Sequence, residues 1–576
     1  MIKYSFQISR FARKARRANF KFQIDIILVL IIVLGAFFRF YNLNWDSNFH
    51  LHPDERFLTM VGNAMRIPQS IAEYFDPSTS PLNPPNIGFG FFVYGTLPLF
   101  MNKLFAVLLH TDNYNSFTIQ GRFLSGLFDL LVVVLVYKTA LLFEKHYKLN
   151  DAIKYWAAFF YAIAVLPIQL SHFFAVDTFL NFFMFASFYF ALKFSFEQKR
   201  RHVVLSAIFL GAAFASKISA IFIVPLVLFF ILKNAFLKKK LYQLVILLGV
   251  FSTVTYITVR IADPYMFASN NFFDARINET FLQNLKTLQS FEGKDIWYPP
   301  GIQWIEKLPI IFSLINLIVF GIGIPFFFFT LAGLYWIVKR SKNLILVIAL
   351  LWVTFFFLYQ SVQFAQTMRY FIPIYPFLAI FSGLGFHFCI TFLKKKPGYW
   401  YVFVVLVLIG SIFLWPIAFF SIYTKSHSRV LASEWIYDNI PSNSLILSEH
   451  WDDALPLPLP NRTDKFFRSK QLPVFDPDTP EKWDKINILL AQADYYILSS
   501  NRAWGSIPTV PEKYPQMSKF YDDLLHDKTA YRKIQEFTSY PTFSLFAFRF
   551  SLNDDWSDES FTVYDHPKVM VFKNKR

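Results

Sequence analysis

Apolar runs near the length of a bilayer crossing recur between residues 24 and 420, and short clusters of lysine and arginine separate them. A hydrocarbon core takes about 20 residues of helix, and every backbone N–H and C=O inside it must be satisfied within the protein. A chain with so many such runs folds as a bundle of membrane helices. Its composition agrees: 55% of the 576 residues are hydrophobic and 16% charged, which excludes an ordinary soluble enzyme. The net charge of +17 would suit nucleic acid, but the basic residues lie between the apolar runs, as the positive-inside rule places them. No nucleic-acid partner is expected. Cys389 is the single cysteine, so no intramolecular disulfide can form.

The alternation of basic flanks gives a topology. Residues 1–23 carry seven basic residues and no acid, which places this stretch in the cytoplasm. No small-residue cleavage site follows the first apolar run, so it stays as a span. The expected spans are 24–41, 119–143, 155–170, 178–196, 241–261, 316–338, 344–362, 370–393 and 399–420. The run 203–232 has basic residues at both ends and is read as a hairpin of two helices with its tip near Ser216-Lys217. That makes eleven crossings in a plasma (inner) membrane, with outer loops at 44–118 and 263–308. Residues 57–65 read as an amphipathic helix and 91–109 as an interfacial one. From 421 to 576 proline and charge rise and no further span occurs, so this part is an extracytoplasmic α/β domain. Polar clusters, Glu449–Asp453 and Ser499–Arg502, follow two strand-like stretches; they are either loop caps or a binding edge.

Beside the first span stands His50-Leu51-His52-Pro53-Asp54-Glu55-Arg56. The plain reading is a loop opening a helix, since acids after a proline suit a first helical turn. Three other outer positions also collect ionisable groups: His172 with Asp177, Lys217, and Arg369. Charges at membrane edges are costly and usually face a cavity or a partner, so four on one face point to a shared polar cavity. Snorkelling of each side chain to water is the alternative. In such a cavity a carboxylate can take a proton from an attacking hydroxyl, and cations can stabilise a leaving phosphate. His50, His52 and the nearby acids are also candidate ligands for a divalent metal. Asp129, inside a span, is assigned to structure as the partner of a residue on a neighbouring helix.

This order of motifs resembles the GT-C superfamily of polytopic glycosyltransferases, of the dolichyl-phosphate-mannose protein mannosyltransferase and aminoarabinose transferase type. The resemblance covers residues 24–420 and rests on Asp54-Glu55 after the first span, on Asp177 opening the fourth, on Ala215-Ser216-Lys217, and on Arg369 before Tyr370-Phe371-Ile372-Pro373. It implies inverting transfer of a sugar from a polyprenyl-phosphate donor to a protein, lipid or glycan acceptor on the outer face. By the resemblance Asp54 or Glu55 is the base, and Asp177 supports the acceptor or a metal. Lys217, Arg369, Arg122 and Lys103 become donor-phosphate ligands. His50, His52, Arg56, His172, Trp297 and Tyr298 form the surrounding shell. The lysine that some relatives carry in a Lys-Pro-Pro stretch is missing from Tyr94-Gly95-Thr96-Leu97-Pro98, and no Trp-Trp-Asp-Tyr-Gly motif occurs, which counts against an oligosaccharyltransferase. Two other classes stay open: a transporter or lipid flippase, and a membrane-anchored binding protein worked by its C-terminal domain.

Overall fold

The computed structural model describes residues 25–149, 151–339, 344–394 and 399–576. The basic stretch 1–23, Arg340, Lys395 and Lys396, on which part of the expected topology rests, lie outside the described residues.

Helices dominate as far as residue 439. The first, α1 (Ile26–Phe40), is capped by Asp25, whose carboxylate accepts from the Leu28 N–H. Helix α2 (Pro53–Ala64) has His52 as its cap, proline at its first position, and Asp54 and Glu55 in the first turn, where negative charge meets the positive end of the helix dipole. Then come α3 (Leu97–Leu108), α4 (Tyr114–Tyr147), α5 (Ile153–Ala162), α6 (Val165–Ser171), α7 (Val176–Glu197), α8 (Arg200–Phe214), α9 (Val224–Leu237) and α10 (Leu241–Ala262). After the helix α11 (Glu279–Ser290) follow α12 (Ile324–Lys339), α13 (Leu344–Ser361), α14 (Tyr375–Leu393) and α15 (Trp400–Phe420).

Among the described residues seven helices are long and apolar enough to cross a bilayer, or nine if each of two bent pairs is one span. The expected count of eleven is not reached by length and apolarity among the described residues. Helices α1 and α8, two of the expected crossings, have only 15 residues each, about 22 Å at the usual rise and short of a full crossing. Two expected straight spans are broken. The helices α5 and α6 meet at 53°, and α12 meets the helical segment before it at 111°, where Gly323 takes a φ of +83° that side chains disfavour. The 203–232 run is two helices, α8 and a 3-10 turn leading into α9, with the break at Ala215–Lys217.

Buried contacts explain the packing. Arg39 of α1 pairs with Asp129 of α4 at 2.7 Å and donates to the Ala162 carbonyl of α5 at 2.8 Å, tying three helices with one cation. Both groups are fully buried. Asp129 thus has the interhelical partner expected of it.

The C-terminal region is a mixed sheet with helices α16 (Ser428–Asn439), α17 (Pro480–Gln492) and α18 (Pro515–Leu525). Its strands are β1 (Leu445–Glu449), β2 (Arg468–Leu472), β3 (Tyr495–Leu498), β4 (Tyr531–Phe537) and β7 (Val569–Asn574), ordered β2-β1-β3-β7-β4. Strands β2, β1 and β3 are parallel, and β7 is antiparallel to β3 and β4. The carboxyl ends of β1 and β3 therefore lie side by side and carry the Glu449–Asp453 and Ser499–Arg502 clusters to one edge. A separate hairpin, β5 (Thr542–Leu545) with β6 (Phe548–Ser551), stands apart from this sheet.

Candidate active site

Two cavities meet at Arg369 and Tyr370. One, of about 280 Å³, is lined by Asp177, Lys217, Arg369 and Tyr370 on a wall of Leu180, Phe222, Phe356 and Ile372. The other, of about 260 Å³, is lined by Asp54, Arg369, Tyr298, Trp451, Arg502 and Tyr564. The first has an apolar wall made by span helices. The second lies between α2, the 291–304 loop and the polar edge of the C-terminal sheet.

A carboxylate–cation pair stands in each cavity beside Tyr370, and the second cavity holds a further pair, Arg502 with Glu559 at 2.7 Å. Asp54 accepts from the Arg369 guanidinium, and Lys217 reaches Asp177 at 2.9 Å. The two pairs beside Tyr370 are adjacent: the Lys217 ammonium lies 4.6 Å and the Arg369 guanidinium 5.5 Å from the centre of the Tyr370 ring. Burial, the largest single influence, would raise the Asp54 carboxyl, but the Arg369 charge, the neighbouring His52, the hydrogen bond from Arg369 and the Lys217 charge together outweigh it and bring it down to about 2.

Local structure sets each group. Asp54 projects from the first turn of α2. Lys217 occupies the break after α8, where the backbone is extended and pairs with another strand-like piece: the Gly95 N–H donates to the Ser216 carbonyl and the Leu97 N–H to the Ala215 carbonyl, both at 3.0 Å. A Cβ on Gly95 would run into that Ala215 carbonyl, so glycine is required for this approach. The segment holding Arg369 is fixed by the C-terminal domain, since Asp558 accepts from the Met368 N–H at 2.7 Å and the Thr367 hydroxyl at 2.9 Å.

The other expected residues fall elsewhere. Glu55 turns away from Asp54 and is sealed under α4, where Arg122 donates to it at 2.5 Å and to Asp46 at 2.8 Å. Its second oxygen accepts from the Phe174 N–H at 2.7 Å. Arg122, fully buried and saturated by two acids, is thus not open to a phosphate. Lys103 pairs with Asp112 at 2.5 Å and lines neither cavity. Both ring nitrogens of His50 are engaged, by Asn115 at 2.9 Å and Thr118 at 3.0 Å. His52 accepts from the Glu55 N–H, and burial lowers it to about 4, so it is neutral at pH 7. Its ring packs against Phe173 and Tyr564. Both ring nitrogens of His172 face backbone carbonyls, and the ring stacks on Tyr423. Arg56 pairs with Asp453 at 2.9 Å. Trp297 donates to the Phe475 carbonyl at 2.8 Å, whereas Tyr298 lines the second cavity and stacks on Phe291.

As a metal site the His50–Glu55 motif does not fit. Both His50 nitrogens, His52 Nδ1 and Glu55 are committed to separate partners, and among the described residues no three His, Cys, Asp or Glu side chains converge. Sequence reasoning missed Tyr564, Glu559 and Asp558 because they lie some 500 residues from Asp54 without any motif around them. Arg502 and Trp451 carried one signal, their place just past two parallel strands.

Comparison with known proteins shows what part of the chain and its fold are similar to. Residues 93–257, which include Asp177 and Lys217, match the family described as dolichyl-phosphate-mannose-protein mannosyltransferase. Among solved structures, the archaeal oligosaccharyltransferase AglB from Archaeoglobus fulgidus, in complex with an inhibitory peptide and a dolichol-phosphate, aligns over 92% of this chain and 74% of its own, with a TM-score of 0.51 at 12% identity. The chain has a GT-C fold. An Archaeoglobus fulgidus oligosaccharyltransferase in the apo form gives 0.51 at 13% identity, over 93% of this chain and 75% of that one. ArnT from Cupriavidus metallidurans in the apo state gives 0.43 at 12% identity, over 85% and 94%. No curated protein matches in sequence. At such identities the likeness speaks for the fold, and a GT-C fold makes this a multi-pass membrane protein.

Proposed function

We propose that this protein is an inverting glycosyltransferase that moves a sugar from a polyprenyl-phosphate donor to an acceptor hydroxyl at the outer face of the membrane. The observation that carries the reading is the meeting of two carboxylate–cation pairs at Arg369-Tyr370, between a cavity walled on one side by side chains of candidate span helices and a second lined by aromatic rings and residues of the C-terminal region. A lipid phosphate needs that division: hydrocarbon beside phosphate, and phosphate beside an acceptor. The family match and the lipid-phosphate ligand of the Archaeoglobus structure support the donor class.

In this reading the acceptor oxygen attacks the anomeric carbon, and the bond from that carbon to the phosphate oxygen breaks with inversion. Asp54 takes the hydroxyl proton. The polyprenyl phosphate leaves with its negative charge facing Lys217 and Arg369, where cations aimed at developing charge act most strongly. An aspartate held at about 2 is a poor base. Incoming phosphate draws Arg369 away from Asp54 and Lys217 away from Asp177, so donor binding itself raises the base and frees both carboxylates. Glu55 has no part in this, being saturated by Arg122 and the Phe174 N–H.

A lipid flippase is the second reading, favoured by the two bent helix pairs, since broken helices are usual in transporters. Transfer from a mixture of polyprenyl-phosphate sugars by purified wild type, Asp54→Asn and Asp177→Asn, each checked for folding, separates the two. The expected result is transfer by wild type and a loss of about 10²–10⁴-fold in Asp54→Asn. Equal rates in both would remove Asp54 as the base. Lipid movement across the bilayer without transfer would give the flippase reading.

A further inference from the structure

We infer that the β5–β6 hairpin is a membrane-interface anchor, seated with its tip at the boundary between headgroups and acyl chains. The sequence Thr542-Phe543-Ser544-Leu545-Phe546-Ala547-Phe548-Arg549-Phe550-Ser551 alternates through both strands. The register pairs Phe543 with Phe550 and Leu545 with Phe548, so all four apolar side chains share one face, while Ser544 and Arg549 pair on the other. A soluble domain would bury such a face against its own sheet. This hairpin joins no other strand, and Leu545, Phe548 and Phe550 remain exposed.

Its placement tells what covers it. The Thr542 N–H donates to the Ser421 hydroxyl at 3.0 Å, just past the end of α15. From there β5 runs back along α15, with Phe543 packed on the main core. The hairpin thus lies along α15, whose exposed apolar side chains include Leu414 and Ile417 and which belongs to a candidate membrane span. Phe546 stands at the turn, 100% exposed and at a φ of +51°, where Asn or Gly would ordinarily serve. Phenylalanine there gives nothing to an aqueous turn and much to a lipid one.

Depth follows from the backbone. The outer edges of a two-stranded hairpin leave unpaired N–H and C=O groups, which the hydrocarbon centre does not tolerate. The hairpin must stop at the interface, where water still reaches those edges. Lys425 and Arg549 are exposed nearby, and neither has an ion-pair partner among the described residues. They suit anionic headgroups around an inserted aromatic tip.

The test uses full-length protein with Cys389→Ser and one new cysteine at Phe546, Leu545, Ser544 or, as a water-exposed control, Glu512. Each is labelled with a polarity-sensitive fluorophore and placed in nanodiscs of phosphatidylglycerol and phosphatidylcholine carrying chain-attached nitroxides. Labels at Phe546→Cys and Leu545→Cys are expected to be quenched about twofold, Ser544→Cys less, and Glu512→Cys not at all. Labels at 545 and 546 quenched no more than the control would overturn the anchor. So would label self-quenching that grows with the number of protein copies per disc, which would make the occupant a second copy.

Discussion

Asp54 and Glu55 are adjacent in the chain and opposite in circumstance. The Glu55 side chain is 0% exposed and sits with Asp46 around Arg122, also 0% exposed. The Asp54 side chain is 29% exposed and meets Arg369 at the junction of two cavities, beside the Lys217–Asp177 pair. Both clusters use the same residue types. They differ in saturation: Arg122 has two carboxylates and a backbone carbonyl, Leu43, as acceptors, whereas the buried Arg369 Nε–H has no acceptor among the described residues. A saturated buried cluster fixes helices. An unsaturated one beside open volume can exchange its partners for a ligand.

The largest effects should separate the two clusters by kind. Asp54→Asn is expected to keep the fold and lose transfer, as set out above. Glu55→Gln should do the reverse of a catalytic lesion, since it leaves Arg122 with one acid in a site closed to water. Breaking a buried pair costs about 3–5 kcal/mol, so thermal unfolding of Glu55→Gln should start well below wild type, while any folded fraction keeps its specific activity. Equal melting of the two variants, or a folded and inactive Glu55→Gln, would break the comparison and return Glu55 to the chemistry.

A smaller effect tests the open cluster's exchange of partners. Arg369 holds Asp54 near 2, below the ordinary carboxylate value of 3.8. In Arg369→Gln the depressing charge is gone and burial remains, so the carboxyl must rise. The acid limb of the pH profile of kcat/KM, which reports the enzyme before donor binds, should move upward by about one pH unit or more, beyond the drop in rate from weaker phosphate binding. A profile of unchanged shape would show that Asp54 does not need to be ionised for transfer.

Lys217 offers a test at one remove. Gly95→Ala should push the 94–97 segment off the Ala215 carbonyl and displace Lys217 without touching any charge. Donor KM is then expected to rise about tenfold, the size of roughly 1.4 kcal/mol of lost positioning, and melting to fall as well, because the clash is with backbone. The same KM in both proteins would mean that the 215–217 break holds itself.

How far the chain could be read without its structure follows from which signals are local. Helices α4, α7, α10, α13, α14 and α15 come from long apolar runs, and basic flanks mark their ends. The breaks at Gly323 and Ala164 do not, because apolarity is blind to direction; a bent and a straight helix have the same composition. The cavities gather residues that the motifs mark, Asp54, Asp177, Lys217 and Arg369, since charge beside a span is expensive and therefore visible. Which of two adjacent acids faces the cavity is not visible, because it depends on Arg122, 67 residues away. Residues 558–564 could not be found at all: their place in the second cavity is set by how the sheet docks on the helices, and no periodicity encodes that.

The finest test uses a third carboxylate, sealed like Glu55 but with no cation. Glu449 ends β1, buried, and accepts from the Tyr496 hydroxyl at 2.7 Å and the Tyr521 hydroxyl at 2.5 Å, with its other oxygen unpartnered. Burial dominates and pushes this carboxyl up to about 8, from an ordinary 4.5. The folded protein thus keeps a proton that the unfolded chain gives up above 4.5. The stabilisation from that proton is complete below 4.5, and it is lost as pH rises toward 8. Glu449→Gln carries a fixed neutral group of the same shape, so its melting temperature should fall less than that of wild type between pH 6 and pH 9, by about 2–4 °C for each kcal/mol of the difference. Parallel curves would mean that Glu449 is ionised in the fold and that the two tyrosines suffice to hold it. In that case saturation by hydroxyls would be as good as saturation by a cation, and the contrast between sealed and open acids would rest on access to the cavity alone.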